Sequence, residues 1–282
     1  MQNSQSVLIT GCSSGIGLTV AEGLREQGFL VVASARKTAD VEKLKQRGLN
    51  AVLLDLDDPK SISSGLQATL AITGGRLYAL FNNGSFGIPG AVEDLSWQAL
   101  ESQLRTNVLG WHELTRQAIP VMRAQGEGRI IQNSSILGLV SMPFRGAYIC
   151  SKFALEGLSD TLRLELHGTG IHVSLIEPGP IRSNFRKNAR QKYRQYINAQ
   201  ESVHQSSYKA MEERLEKEGD AQPFTLPPEA VLKRVLHALQ SKRPKPRYAV
   251  TAPAYVFSFL RRILSTRQMD AILRRASGGG SR

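Results

Sequence analysis

Thr10-Gly11-Cys12-Ser13-Ser14-Gly15-Ile16-Gly17 is the stretch on which the reading of this chain turns. It follows an apolar run at residues 6–10 and opens a segment, 16–27, whose apolar residues recur at helical spacing until Gly28. Glycines at such a turn let the chain bend tightly and bring backbone N–H groups up to a pyrophosphate. The helix N-terminus adds positive potential at the same place. A glycine-rich run alone reads as an ordinary turn; strand before and helix after supply the context that the nucleotide reading needs. Gly11, Ser13, Ser14, Gly15, Ile16 and Gly17 are therefore the first candidate binding residues.

Outward from this loop, short apolar runs alternate with helical patterns as far as residue 180. Runs at 29–34, 51–54, 77–82, 128–134 and 171–176 read as strands, and 41–47 as a helix. Strands this apolar are buried on both faces, as in a parallel sheet with helices on each side. Right-handed crossovers then make a doubly wound α/β sheet of the Rossmann type. No linker precedes residue 277, so 1–282 reads as one domain with a core at 5–185. Residues 186–226, rich in Gln, Lys, Arg and Glu, read as exposed helices or a substrate flap. Residues 227–276 hold C-terminal helices, the first opening at Pro227-Pro228, and a last strand at 247–251; Gly278-Gly279-Gly280-Ser281 reads as a disordered tail.

The end of the second strand bears on which dinucleotide fits. A carboxylate there binds the ribose 2′-hydroxyl of NAD. This chain has Ser34-Ala35-Arg36-Lys37 instead, two cations and no carboxylate. A guanidinium grips a 2′-phosphate in bidentate fashion, so the sequence favours NADP(H).

Further along, Tyr148-Ile149-Cys150-Ser151-Lys152 places Tyr and Lys four apart, on one face if the stretch is helical. Ser135 ends the apolar run before them, and Asn107 follows a helical pattern. With the nucleotide loop, these residues resemble the short-chain dehydrogenase/reductase family over about residues 5–185. The motifs are TGxxxGIG at 10–17, Asp55-Leu56 after the third strand, Asn82-Asn83-Gly84, Asn107, Ser135, YxxxK at 148–152 and Pro178-Gly179. YICSKFALEGL, GCSSGIG and EPGPIRSNF are similar to the steroid and retinol dehydrogenase branch, and to its bacterial NADP-dependent aldehyde reductases. Two departures stand out: in Asn82-Asn83-Gly84-Ser85 either the family's glycine stands one position early or its Ala-Gly is replaced by Gly84-Ser85, and Ser183 stands where the family often has Thr.

The resemblance implies that Tyr148 exchanges a proton with a carbonyl or alcohol oxygen while Lys152 favours its phenolate. It implies that Ser135 orients the substrate oxygen and that Asn107 holds a proton-relaying water. For cofactor contact it implies Gly11, Ser13, Ser14, Gly15, Ile16, Gly17, Arg36, Lys37, Asp55, Leu56, Asn83, Gly84, Asn107, Tyr148, Lys152, Pro178, Gly179, Ile181 and Ser183. The expected cofactor is NADP(H), the expected reaction carbonyl reduction, and a homo-oligomer is expected by resemblance. Phe86, Ile88, Leu137, Met142 and Phe144 read equally as the lining of an apolar substrate pocket or as loop packing.

Charge and composition narrow the other readings. Residues 1–184 balance 16 Lys/Arg against 16 Asp/Glu, while 185–282 carry 20 against 8. That basic third has no nucleic-acid motif and no interleaved aromatics. Val256, Phe257, Leu260, Ile263 and Leu264 have helical spacing beside Arg261, Arg262 and Arg267; segment 254–276 reads as a membrane-surface helix, a cover for the substrate site or a subunit contact. The start has no basic-then-apolar leader, and Cys12 and Cys150 have no metal or CxxC spacing, so a cytoplasmic protein with reduced thiols is expected. The five histidines are scattered and suggest no metal. A catalytically silent NADPH-binding sensor or scaffold remains the competing reading, since fold alone does not prove activity.

Overall fold

The computed structural model describes residues 5–216, 219 and 224–276. Seven strands, β1 (Ser6–Ile9), β2 (Leu30–Ala35), β3 (Asn50–Leu53), β4 (Ala79–Asn82), β5 (Gly128–Asn133), β6 (Ile171–Glu177) and β7 (Arg247–Ala249), form one parallel sheet in the order β3-β2-β1-β4-β5-β6-β7. Alternate residues of a strand face opposite sides, and here both sides are covered. Val7 and Ile9 enter the core shared with α1 (Gly15–Glu26), α2 (Thr38–Gln46) and α9 (Glu229–Gln240); Leu8 enters the core shared with α3 (Pro59–Ile72) and α5 (Trp111–Gln125). This is the doubly wound Rossmann-type sheet expected from the unbroken apolar runs.

The order reverses between β1 and β4, and in such sheets the crevice beyond the carboxyl ends at the reversal holds the ligand. The loop at 10–14 leaves β1 there and Asn83-Gly84 leaves β4 beside it. Between α4 (Trp97–Leu104) and α5 the chain makes a π-helical turn, Arg105–Gly110, which carries Asn107. Such wide turns are frequent at functional sites. The catalytic candidates Tyr148 and Lys152 share α6 (Gly146–Glu165).

Residues 185–216 are less exposed than their composition suggests. α7 (Phe185–Tyr196) and α8 (Gln205–Glu216) bury Ala189, Tyr193, Tyr208, Met211 and Leu215 in a small core of their own, into which Ala91 and Ile197 also pack. α10 (Ala252–Ile263) and α11 (Thr266–Ala276) form another small core with the turn that follows Ser135. The last strand ends at Ala249, two residues short of expectation, because Thr251 already leads into α10. The expected disordered tail at 277–282 lies outside the described residues, as do 217–218 and 220–223 of the flap.

Candidate active site

The glycine loop is shaped by contacts that only glycines permit. Gly11 has φ 70° and Gly15 φ 59°, in the left-handed region that disfavours a Cβ. A Cβ on Gly11 would stand 2.5 Å from the Gly84 Cα, and one on Gly17 2.6 Å from Asn83 Nδ2, already against the Gly11 carbonyl. The loops after β1 and β4 are therefore pressed backbone to backbone. Asn83 Nδ2 donates to the Thr10 carbonyl at 2.9 Å, and Thr10 Oγ1 accepts from the Asn83 and Gly84 backbone N–H groups at 2.8 and 2.9 Å. Thus Asn83 builds the loop wall with its side chain. Gly84 has no left-handed backbone; its Cβ would meet Leu56 and Gly11 at 3.1–3.3 Å, a tight fit that glycine relieves.

Ser14 caps α1 in extended conformation without a side-chain hydrogen bond, so the first turn of α1 keeps N–H groups for an anion. Arg36 and Lys37 are exposed just beyond β2, and among the described residues neither pairs with a carboxylate. Asp55 bends the chain after β3 by accepting from the Asp57 N–H at 3.0 Å, while Leu56 is buried. On the far side, Pro178 accepts from Ile136 N–H at 2.8 Å, Gly179 gives room to Thr251, Ile181 pairs with Leu226, and the Ser183 Cβ faces Gly15. A cleft with an uncapped helix end, a glycine cradle and two unpaired cations fits a dinucleotide.

Lys152 is fully buried. Its Nζ donates to the Asn133 carbonyl at 2.7 Å and lies 4.3 Å above the Trp111 ring and 5.5 Å from the Tyr148 ring. Burial pulls its amine down to about 7, against the pull of Glu156 one turn on. Trp111 Nε1 donates to the Gly84 carbonyl at 2.7 Å, and Asn133 Nδ2 to Asn83 Oδ1 at 2.9 Å. A continuous hydrogen-bonded path therefore runs from Lys152 through Asn133 and Asn83 to the glycine loop.

Ser135, buried in extended backbone after β5, accepts from Leu137 N–H at 3.1 Å through Oγ, and its side chain is near enough to the Tyr148 phenol to favour the phenolate. Tyr148 is half-buried, and the Phe185 ring stands edge-on to it at 5.3 Å. Burial raises the phenol above its ordinary value; the Ser135 side chain opposes this. In the protein by itself burial thus outweighs the lowering of the phenol that the resemblance implied. Burial also pulls the lysine that was expected to supply the charge down to about 7, so it is only partly charged near neutral pH.

Asn107 is buried, its Nδ2 donating to the Phe86 carbonyl at 2.9 Å and Ser151 Oγ at 3.2 Å, its Oδ1 accepting from Phe86 N–H at 3.2 Å. Both amide protons are taken, so the side chain clasps the 84–88 loop to α6. The five apolar candidates do not line one wall. Phe86 and Ile88 are core, Leu137 and Met142 lie under α10 and α11, and Phe144 packs edge-on to His204 and Tyr208 of the flap.

Several residues around the site had no motif to announce them. Asn133 and Trp111 are one case. Another is a buried carboxylate cluster: Arg247 on β7 pairs with Glu156, with Glu177 at 2.8 Å and with Asp160 at 2.6 Å, and Ser134 donates to Glu156. Burial pushes Glu156 up to about 7. The only sequence signal was charge inside or beside an apolar run, at Glu177 and Arg247.

Seven parallel strands, a glycine cradle and a Ser–Tyr–Lys group at the strand ends define a nucleotide-dependent oxidoreductase of short-chain type. The short chain dehydrogenase family model matches residues 5–194, and the chain belongs to that family. It is 46% identical to the uncharacterized oxidoreductase YbbO of Escherichia coli K12 over 269 residues, 95% of this chain and 94% of that one. It is 37% identical to human 17-beta-hydroxysteroid dehydrogenase type 1 over 191 residues, 64% of this chain and 57% of the relative. A Burkholderia phymatum short chain dehydrogenase/reductase solved with NAD shares the fold, with TM-score 0.77, 24% identity and coverage of 96% and 95%.

Proposed function

We propose that this oxidoreductase reduces the carbonyl of an apolar aldehyde or ketone with NADPH, and runs the alcohol oxidation in reverse. The observation that carries the reading is the Tyr148 phenol set beside Ser135, its ring 5.5 Å from the amine of a buried Lys152 that is tied through Asn133 and Asn83 to the glycine cradle. When bound, the nicotinamide supplies or accepts the hydride. Ser135 Oγ and the Tyr148 hydroxyl hold the substrate oxygen between them. A phenol kept protonated by burial suits the donor: it delivers its proton to the oxygen as negative charge develops there. Lys152, poised at about 7, then offers charge to the phenolate left behind and draws a replacement proton toward it. Phe185 shields the phenol from water on one side.

Support for NADP(H) over NAD(H) comes from Arg36 and Lys37, two exposed cations where a carboxylate would repel a 2′-phosphate. Similarity to a hydroxysteroid dehydrogenase favours a second reading within the same chemistry, oxidation or reduction of a steroid or retinoid. NADPH consumption with a panel of aliphatic and aromatic aldehydes, retinal and ketosteroids tests both readings. Tyr148→Phe is expected to lower turnover by about 10²- to 10⁴-fold while NADPH still binds. Turnover at the wild-type rate in that variant would remove Tyr148 as the proton donor, and NADPH binding with no substrate consumed would favour the sensor reading instead. Arg36→Asp is expected to shift the NADPH/NADH ratio of kcat/KM at least about tenfold toward NADH. An unchanged ratio removes Arg36 from the site.

A further inference from the structure

α10 carries two apolar faces, and among the described residues only one is packed against the rest of the fold. Ala254, Phe257 and Leu260, with Leu264 just beyond the helix, pack onto Ile136, Leu137, Val140 and Met142 of the turn after Ser135. On the opposite face Tyr255, Val256, Phe259 and Ile263 stand in one stripe and are 52%, 52%, 63% and 60% exposed. Scattered exposed apolar residues need no explanation, but a stripe along three helical turns exposes contiguous apolar surface. Residues 252–276 around it hold five arginines and a single acid, Asp270. Arg262 and Arg267 are exposed at the stripe's C-terminal end.

A second feature adjoins the first. A cleft of about 100 Å³ is lined by Arg234, His237, Lys245 and Tyr255 among others, and Arg234 donates to the Tyr255 hydroxyl at 3.0 Å. Tyr255 therefore joins the stripe to a cationic hollow of a size suited to one oxyanion group. Apolar residues that enter a lipid interface, arginines along their border and a basic hollow beside them are the parts of a surface-bound amphipathic helix. No helix among the described residues is long and apolar enough to cross a membrane, so the contact lies in the interface plane.

We propose that this face docks on an anionic lipid bilayer, with Val256, Phe259 and Ile263 in the interface and a lipid phosphate beside Arg234 and Lys245. A second copy of the chain fits the face less well, because it would bring a second strongly basic C-terminal third, 20 Lys/Arg against 8 Asp/Glu, up to the first. Docked in this way, the turn that carries Leu137 and Met142 lies directly beneath the membrane-facing helix, so apolar substrate can pass between bilayer and site.

Co-sedimentation of the full chain with vesicles tests this and requires no catalytic turnover. Vesicles of phosphatidylcholine with about one third phosphatidylglycerol are expected to pellet the protein several-fold better than phosphatidylcholine alone. Phe259→Glu with Ile263→Glu is expected to cut that binding at least about tenfold at unchanged melting temperature. If the double variant melts early, Val256→Ser alone is expected to show the same direction of loss. Arg262→Glu with Arg267→Glu is expected to abolish the preference for anionic vesicles. Wild-type protein that stays in the supernatant overturns the proposal. So does binding that survives Phe259→Glu with Ile263→Glu and disappears entirely in salt, which would mark a polyanion site. A vesicle-indifferent dimer that Phe259→Glu splits would assign the face to a second copy and overturn it as well.

Discussion

Lys152 shows at the scale of one residue how position outweighs type. Its amine, ordinarily near 10.5, falls to about 7 because nothing but one carbonyl, two aromatic rings and a distant carboxylate replace water. Between those two values the unfolded chain binds a proton that the folded chain does not, so this group makes stability rise with pH from about 7 to 10.5. Urea unfolding across that range is expected to show a shallower rise for Lys152→Met than for wild type, by at most about 1.4 kcal/mol per pH unit. Identical slopes would mean that Lys152 stays charged. Two glycines make a sharper contrast. Gly17→Ala drives a methyl into the Gly11 backbone and Asn83 and is expected to cost about 1–3 kcal/mol and much of the NADPH affinity. Gly84→Ala meets only contacts at 3.1–3.3 Å and is expected to cost less than about 1.5 kcal/mol. Calorimetry and a binding titration read both.

Among the elements, α6 is held from behind by charge as well as by packing. Arg247 on β7 ties Glu156 and Asp160 of α6 to Glu177 at the end of β6, and Ser134, next to Ser135, completes the knot. One cation thus fixes the helix of Tyr148 and Lys152 relative to the strands that lead into Ser135 and Pro178. Arg247→Met leaves two buried carboxyls without a cation and is expected to cost about 3–5 kcal/mol. Unpaired buried carboxyls titrate above their unfolded value, so stability falls as pH rises through that window. The drop in melting temperature should therefore be larger at pH 8 than at pH 5. An equal drop at both would mean that the carboxylates found other partners. The wide turn at Arg105–Gly110 was invisible beforehand, since no local pattern marks an extra residue per turn and the Asn107 clasp on Phe86 joins residues 21 apart.

For the whole molecule, the sheet and the flap are expected to open as separate cooperative regions. The central strands are buried on both faces, whereas α7 and α8 share a small core latched through Tyr208, which donates to Asp94 at 2.5 Å and accepts from Ala91 N–H at 2.9 Å. Amides in residues 185–216 are expected to exchange faster than those of β4 and β5. Tyr208→Phe should speed the flap further while leaving the sheet unchanged. Exchange that accelerates everywhere at once would show the flap to be part of the main core.

The doubly wound sheet and the order of its motifs were legible in the sequence because both rest on local facts. Unbroken apolar runs demand burial on two faces, and Gly11, Gly15 and Gly17 mark a backbone that tolerates no side chain. Tyr148 and Lys152 were legible for the same reason, since helical spacing alone puts them one turn apart. What lay beyond reach depends on residues far apart in the chain. Burial decides the protonation of Lys152 and Tyr148, and burial is a property of everything packed around them. The Asn133–Asn83 link spans 50 residues and the Arg247–Glu156 pair 91. Which face of α10 turns inward likewise needed the Ser135 turn as a partner, because a helix with two apolar faces has no local rule for choosing between them.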